Sequence, residues 1–330
     1  MPASTSRSPG TKDFLFRPYR PGDEDEINRL FNEIFHLKRS IDEWRWRFNP
    51  EHAGCAILVA EHRQTHEIYA HYGVITCLAQ VAGRTIRVGQ PVDTYCRRDE
   101  LAVAQRVMPK LILHFYRTFC STDGLPMLYG FPSNRVLKLG KMKMSYGEPT
   151  PVQSWQFPVA RRRWLFPSWL DSEPLSAGSV STLWNRVAHR YPTSNIRDEQ
   201  WVRNRFMDRP RNRYLHFLVQ QDDIPVVWAV FVPDGKKLLW IDCLWDGESV
   251  DAMKDVMERA LTHARRGGAR VIEFWLNHDE ALADVLRSEG WQFSPDRENL
   301  HLATVGFDDS LDSTQYRENL YITMADTDLV

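Results

Sequence analysis

Two polar side chains stand where strand-like runs of the sequence end. Asp93, in Pro91-Val92-Asp93-Thr94, closes one run. A carboxylate there could take a proton from an attacking amine if burial lifted its pKa toward neutrality, or it could cap the following turn. Tyr129, in Tyr129-Gly130-Phe131-Pro132, could protonate a leaving group, or be a core aromatic whose hydroxyl finds a partner. His71 lies inside the run Ile68–Ile75 and is a third candidate proton carrier. The Ser133-Asn134 pair precedes a helical pattern and suits an N-cap. His62 and His66 have a metal-compatible spacing on a helix, but they fall between two strand-like runs with no cysteine nearby. That stretch reads as a polar hairpin tip, and no metal site is expected. Phosphate-loop, dinucleotide-fingerprint and nucleophile-elbow motifs do not occur, so kinase, nicotinamide and α/β-hydrolase chemistry has no local support.

The 330 residues are 43% hydrophobic and 26% charged, with 42 Lys+Arg against 43 Asp+Glu and a net charge of −1. That length suggests two domains with real cores, and the balance offers nucleic acid no global attraction. The five cysteines are scattered, which argues against a disulfide framework and for a reducing, cytoplasmic location. No apolar stretch is long enough to span a bilayer. Residues 1–12 are Ser/Pro-rich without an apolar core and read as a loose tail. Arg161-Arg162-Arg163 next to Trp164 and Phe166 could meet an anionic surface or a single strand, but one short patch in a neutral chain reads better as linker.

The elements that must position these residues are written twice. Asp42-Glu43-Trp44-Arg45-Trp46-Arg47-Phe48-Asn49-Pro50 is echoed by Asp198-Glu199-Gln200-Trp201, Arg205-Phe206 and Pro210. Each block is followed by two β-like runs, Ala56–Ala60 with Ile68–Ile75 and Leu215–Val219 with Val226–Val232. An amphipathic helix follows in each half: Leu101, Ala104, Met108, Leu111 and Phe115 step by three and four, as do Met253, Val256, Met257, Ala260, Leu261 and Ala264. Pro109 should kink the first helix, over Leu101–Arg117, and Gly267-Gly268 should stop the second. A short strand and a closing helix complete each half, as Met127–Phe131 then Val136–Gly140, and Val271–Trp275 then Ala283–Gly290. The expected fold class is α/β (α+β), with two domains of mixed, mostly antiparallel sheet flanked by helices. The boundaries read as 13–150, a Pro/Ser-rich linker at 151–192, and 193–330.

That order resembles the GNAT (GCN5-related N-acetyltransferase-like) acyltransferase superfamily, specifically its tandem-domain members. The pieces that carry the resemblance are Phe16–Asp23, Asp42–Pro50, Val92-Asp93-Thr94, and Tyr129–Pro132 with Leu139-Gly140. It covers 13–150 well and 193–300 moderately, and it rests on order, with no single diagnostic motif. The resemblance implies acetyl-CoA or another acyl-CoA as co-substrate, with no metal, in a V-shaped opening between two central parallel strands. Val92 and Thr94 would face the pantetheine there, beside a catalytic Asp93 and Tyr129. The pyrophosphate would rest on N–H groups at the next helix start, a setting that suits anions. Arg97, Arg98 and Ala102 would form that turn, with Asn134 further on. Glu100 stands where the family places glycine, and Asp99 precedes it, so two acids oppose the phosphate. The matching second window, Leu244–Ser249, lacks a leading Arg or Gln, so the C-terminal domain reads as degenerate.

The sequence therefore points to transfer of an acyl group from acyl-CoA to a primary amine on a small molecule, sugar or peptide. No nucleic-acid partner and no integral membrane contact are expected. Two alternatives stay open: a catalytically degenerate GNAT-like scaffold, and a Fem-type aminoacyltransferase, which the neutral charge disfavours. In some tandem members the terminal carboxylate reaches the active site, which would give Val330 a role. The acceptor, the acyl length and the oligomeric state are not encoded in any readable pattern.

Overall fold

The computed structural model describes residues 11–48, 54–81, 83–143, 146–160, 174–210, 214–294 and 300–328. Most of the tail, the patch at 161–170 and Val330 lie outside the described residues. The chain opens with β1 (Phe14–Pro18), α1 (Asp23–Phe35) and α2 (Ile41–Arg47). Three strands follow, β2 (Cys55–His62), β3 (Ile68–Val81) and β4 (Arg84–Cys96). Then come α3 (Glu100–Ala104), α4 (Val107–Phe119), β5 (Met127–Gly130), α5 (Asn134–Lys143), β6 (Thr150–Pro151) and β7 (Ser154–Pro158). The second half holds α6 (Ala177–Val187), β8 (Thr193–Asn195), α7 (Glu199–Val202), β9 (Leu215–Gln221), β10 (Ile224–Asp234) and β11 (Lys237–Trp245). It ends with α8 (Val250–Gly267), β12 (Val271–Trp275), α9 (Glu280–Ser288), β13 (Gln292–Ser294), β14 (His301–Gly306) and α10 (Ser313–Asn319).

Two compact units result. Unit 1 comprises Met1–Cys77, Arg87–Tyr129 and Val305–Leu311; unit 2 comprises Leu78–Ile86, Gly130–Thr304 and Asp312–Val330. The units are thus not two consecutive halves, as 13–150 and 193–330 would be. The segment read as a linker, 151–192, supplies a strand and a helix to unit 2, because Trp155, Val180, Leu183 and Trp184 are buried in its core.

In unit 1 the strands run β1-β2-β3-β4-β5. β1 and β2 pair antiparallel, β2 and β3 likewise, and β4 and β5 pair parallel. Continuous burial along Ala56–Ala60 explains why that run is apolar throughout instead of alternating. α1 and α2 close one core with Ile27, Leu30, Trp44, Phe48, Val59, Val92 and Tyr95. Arg17 ties β1 to its neighbours, pairing with Asp23 at 2.6 Å and Glu61 at 2.5 Å. His62 to Glu67 form the turn between β2 and β3, where the His62 N–H donates to the Glu67 carbonyl at 2.8 Å.

The helix expected over Leu101–Arg117 is two helices. The break falls at Gln105-Arg106, with Arg106 left-handed at φ 52°, and Pro109 is the third residue of α4. There its missing N–H costs nothing, because first-turn N–H groups have no intrahelical acceptor. The apolar stripe begins after the break: Val107, Leu111, Ile112 and Phe115 are buried, and Leu101 is exposed.

Unit 2 contains a six-stranded sheet ordered β13-β7-β12-β11-β10-β9. β9, β10 and β11 form an antiparallel meander, and β12 runs parallel to β11. α8 buries Met253, Val256, Met257, Ala260 and Ala264, and it stops at left-handed Gly268, φ 74°. Both units therefore repeat one motif, three successive neighbouring strands, a helix, and a parallel strand. Each is a mixed sheet with helices, matching the expected fold class. Among the described residues no helix is long and apolar enough to cross a membrane.

Candidate functional site

The parallel pair in unit 1 is short. β4 and β5 match only at Val88 with Met127 and Gly89 with Leu128, yet β4 continues to Cys96. Gly89 admits close approach, since a Cβ there would sit 2.6 Å from Leu128 and Val74 side-chain carbons. Two residues on, Pro91 brings no N–H to either neighbour, so the ladder loses a donor where the strands part. Past that point β4 carries Val92, buried, and Thr94, exposed. Tyr129 on β5 is buried.

Asp93 sits between those two with φ 49°, a left-handed backbone that is costly for a residue with a side chain. Its carboxylate is buried and pairs with Arg39 and, at 3.7 Å, with Arg47. Arg39 Nε donates to Asn28 Oδ1 at 2.8 Å, and the guanidinium lies 3.6 Å over the Phe31 ring. Arg39 NH2 is buried and has no hydrogen-bond partner among the described residues. The Asp93 carbonyl accepts from His71 Nδ1 at 2.7 Å. A carbonyl can only accept, so the His71 proton is on Nδ1 and Nε2 keeps its lone pair, buried and without a partner among the described residues. Burial pushes the His71 imidazole down to about 4, outweighing the pull of Asp93, so the ring is neutral near pH 7. It stacks 5.2 Å from Tyr95 and meets Phe48 edge-on at 5.6 Å.

The turn expected to receive a pyrophosphate is already occupied by the chain's own carboxylate. Asp99 caps α3, accepting from the Ala102 N–H at 2.8 Å, and α3 is a single turn of 5 residues. Arg97 extends the other way, 4.7 Å over the Tyr69 ring and 3.6 Å from Glu67. Arg98 is exposed. Asn134 starts α5 and belongs to unit 2. Val92, Asp93, Thr94, Arg97, Arg98 and Ala102 thus share one strand end and its turn. Among the described residues no group of three or more His, Cys, Asp and Glu could hold a metal ion.

Sequence reasoning passed over Arg39 and Asn28, which belong to no motif, and gave no site role to Arg47, which lies in the repeated block Asp42–Pro50. The available signal was the repeat itself. Arg39, Ser40, Arg47 and Phe48 recur at the same spacing as Arg197, Asp198, Arg205 and Phe206. Ser40 and Asp198 are both N-caps, and Phe48 and Phe206 are both buried. The strands keep that spacing, since Val59 pairs with His71 and Phe217 pairs with Ala229. Arg197 in turn meets Asp242 on β11, next to the partner of Ala229, at 3.3 Å. A buried arginine reaching a strand aspartate is therefore common to both units.

In unit 2 the corresponding opening is filled. β11 pairs with β12 from Lys237 to Trp240 and then runs on to Trp245. Residues 320–326 cross there: Tyr321 Oη donates to the Cys243 carbonyl at 2.6 Å, and Ile322 bridges Asn277 just beyond β12. The stretch read as a last strand, Leu320–Met324, makes only isolated bridges among the described residues, and its last residue, Met324, begins a 3-10 turn. Thr323 Oγ1 donates to Asp242 at 2.8 Å, and Asp326 Oδ2 accepts from Arg197 NH2 at 2.8 Å. Burial and the nearby Asp326 push Asp242 upward, against Arg197. The next turn is also self-capped, with Asp246 Oδ1 accepting from the Glu248 and Ser249 N–H groups at 3.0 and 2.9 Å.

No family model matches the sequence, and no curated relative does. Solved structures do match. A GCN5-related N-acetyltransferase from Anabaena variabilis superposes with a TM-score of 0.64 at 13% identity, over 88% of this chain and 72% of that one. A conserved Enterococcus faecalis protein described as a probable N-acyltransferase gives 0.63 at 10%, over 89% and 73%. Saccharomyces cerevisiae N-myristoyltransferase with bound myristoyl-CoA gives 0.56 at 12%, over 93% and 87%. At these identities the likeness establishes the fold, which is that of the GNAT N-acyltransferases in a tandem arrangement.

Proposed function

We propose that the protein is an acyl-CoA-dependent N-acyltransferase with its donor site along β4 of unit 1. The observation that carries this reading is the early parting of β4 from β5, after Gly89 and Leu128. Unpaired strand backbone is a ready partner for the amides of a pantetheine arm. Unit 2 has no such vacancy along β11, because its own segment 320–326 lies across it. Val92 and Thr94 supply the strand backbone, and Arg98 supplies exposed positive charge for the phosphates. Myristoyl-CoA in the yeast neighbour supports an acyl-CoA donor.

The reaction attaches a neutral amine nitrogen to the thioester carbonyl carbon and breaks the carbon–sulfur bond; the nitrogen gives up one proton to solvent water and the departing CoA thiolate takes one up. Tyr129 is the proposed donor to that thiolate. The role of base does not suit Asp93, whose carboxylate is held by two guanidinium groups. Asp93 is instead a positioning residue that fixes the strand end. A second reading, a scaffold that has lost catalysis, draws on the Asp99 cap over the Ala102 N–H. Thiol release from acetyl-CoA over a panel of primary amines separates the two readings. Release that depends on an amine is expected; no release, together with no rise in melting temperature at millimolar acetyl-CoA, would favour the scaffold.

A further inference from the structure

On several helices of this protein an exposed arginine is met by an acid one turn away. Arg29 pairs with Glu33, Arg203 with Glu199, Arg259 with Asp255 and Arg287 with Asp284. α4 of unit 1 departs from that pattern. No Asp or Glu occurs from Leu101 to Thr122, and the helix buries Val107, Leu111, Ile112 and Phe115. On its opposite side Lys110, Leu113 and Arg117 follow one another in steps of three and four, with Arg106 at the N-cap. Arg106, Lys110 and Arg117 are all exposed, and none makes an ion pair or a side-chain hydrogen bond among the described residues. Leu113, between the two helix cations, is 41% exposed, and Val103 on α3 is 66% exposed. The chain as a whole carries a net charge of −1, so this positive face is a local feature and not general basicity.

We propose that the exposed face of α4 is a docking surface for an anionic lipid bilayer. Lipid phosphates neutralise Arg106, Lys110 and Arg117, whose long stems carry the charge to the headgroups while Leu113 enters the boundary of the acyl chains. Lys110 and Arg117 are about 10 Å apart along the helix axis, a spacing that a dense layer of headgroups meets in any register. A soluble acidic partner must instead place its carboxylates at matching points, and it offers Leu113 no hydrocarbon to enter. The contact is peripheral, since the apolar side of α4 stays in the core of unit 1. It is independent of the acyltransfer reading.

The test is sedimentation of the full chain with vesicles of phosphatidylglycerol and phosphatidylcholine in equal parts, and with vesicles of phosphatidylcholine alone. With three cations and about fivefold for each near an anionic surface, the mixed vesicles are expected to bind on the order of a hundredfold more tightly at low salt. High salt should erase most of that preference. The variant K110Q/R117Q should lose about twentyfold. Leu113→Gln should weaken vesicle binding at unchanged charge. R29Q/R203Q removes two cations that already have acid partners and should change little. All of these positions are exposed, and melting temperatures near that of the parent check that each variant is folded. Polyglutamate serves as a second probe, standing for a soluble acidic chain. Equal binding to the two kinds of vesicle, no binding to either, a preference that survives K110Q/R117Q, or an equal loss in R29Q/R203Q overturns the proposal. Polyglutamate held through Lys110 and Arg117, with no binding to the mixed vesicles, would assign the face to an acidic protein and overturn the bilayer as its occupant.

Discussion

Keeping His71 neutral inside unit 1 should make the fold sensitive to mild acid. An unfolded imidazole titrates near 6.5, whereas burial holds this one at about 4. Between those values the unfolded chain binds a proton that the folded chain refuses, so stability falls as pH drops. The sign follows directly. The contribution is complete above 6.5, declines by up to about 1.36 kcal/mol per pH unit, and is exhausted below about 4. Over the whole window that amounts to about 3 kcal/mol. Urea midpoints of the parent and His71→Phe at pH 7 and pH 4.5 would measure it. The substitution keeps an aromatic ring beside Tyr95 and Phe48 and strands the Asp93 carbonyl, costing about 1 kcal/mol at both pH values. Carboxylates and His216 titrate in both proteins and cancel in the comparison. The parent should lose about 2–3 kcal/mol more than the variant on acidification. Parallel losses would mean that folded His71 takes up its proton as readily as the unfolded chain does, and the argument from burial would fail.

Asp93→Asn should cost about 3–5 kcal/mol by urea denaturation, because it leaves two guanidinium groups without their carboxylate; R39M/D93N should recover part of that loss. Asp99→Gly should lower stability by only a few tenths of a kcal/mol and tighten acetyl-CoA binding by calorimetry, since it frees the Ala102 N–H and removes a charge from the turn. Asp246→Asn should leave amine-dependent thiol release near the parent rate, because that carboxylate serves the turn of unit 2. Asp326→Asn should destabilise by about 1–3 kcal/mol in urea, through the lost charge on Arg197 NH2 and on the Thr323 N–H.

The strands were legible wherever burial was uniform. Val271–Trp275 has the bounds read from its apolar run, and the meander strands contain the runs at Ala56, Ile68, Leu215 and Val226. Such segments need no knowledge of the rest of the chain, because hydrophobic pattern and turn chemistry agree locally. The helix over Leu101–Arg117 misled because its spacing fits an unbroken stripe, while the break depends on the left-handed Arg106. Ser154–Pro158 was hidden for another reason. Its Trp155 and Phe157 are ordinary in a Pro/Ser-rich stretch, and only pairing with β12 and β13 makes it a strand. For the site, Asp93 could be singled out as a strand-end carboxylate. Its partner Arg39 lies 54 positions away, and nothing local ties the two together.

The way the units share the chain bears on how the protein is made. Unit 1 includes Val305–Leu311, so a ribosome that has finished Tyr129 has not yet supplied its last piece. There the Phe307 N–H donates to the Pro126 carbonyl at 2.8 Å, and the Phe307 ring lies 4.9 Å from Tyr116. β7 has the opposite problem. It emerges early and must wait more than a hundred residues for β12 and β13, which flank it. Nascent chains therefore pass through a stage in which both sheets have unfilled edges, the state most open to wrong pairing. A fragment cut near residue 150 reproduces that stage permanently. Such fragments should be poor material for assigning activity to either unit.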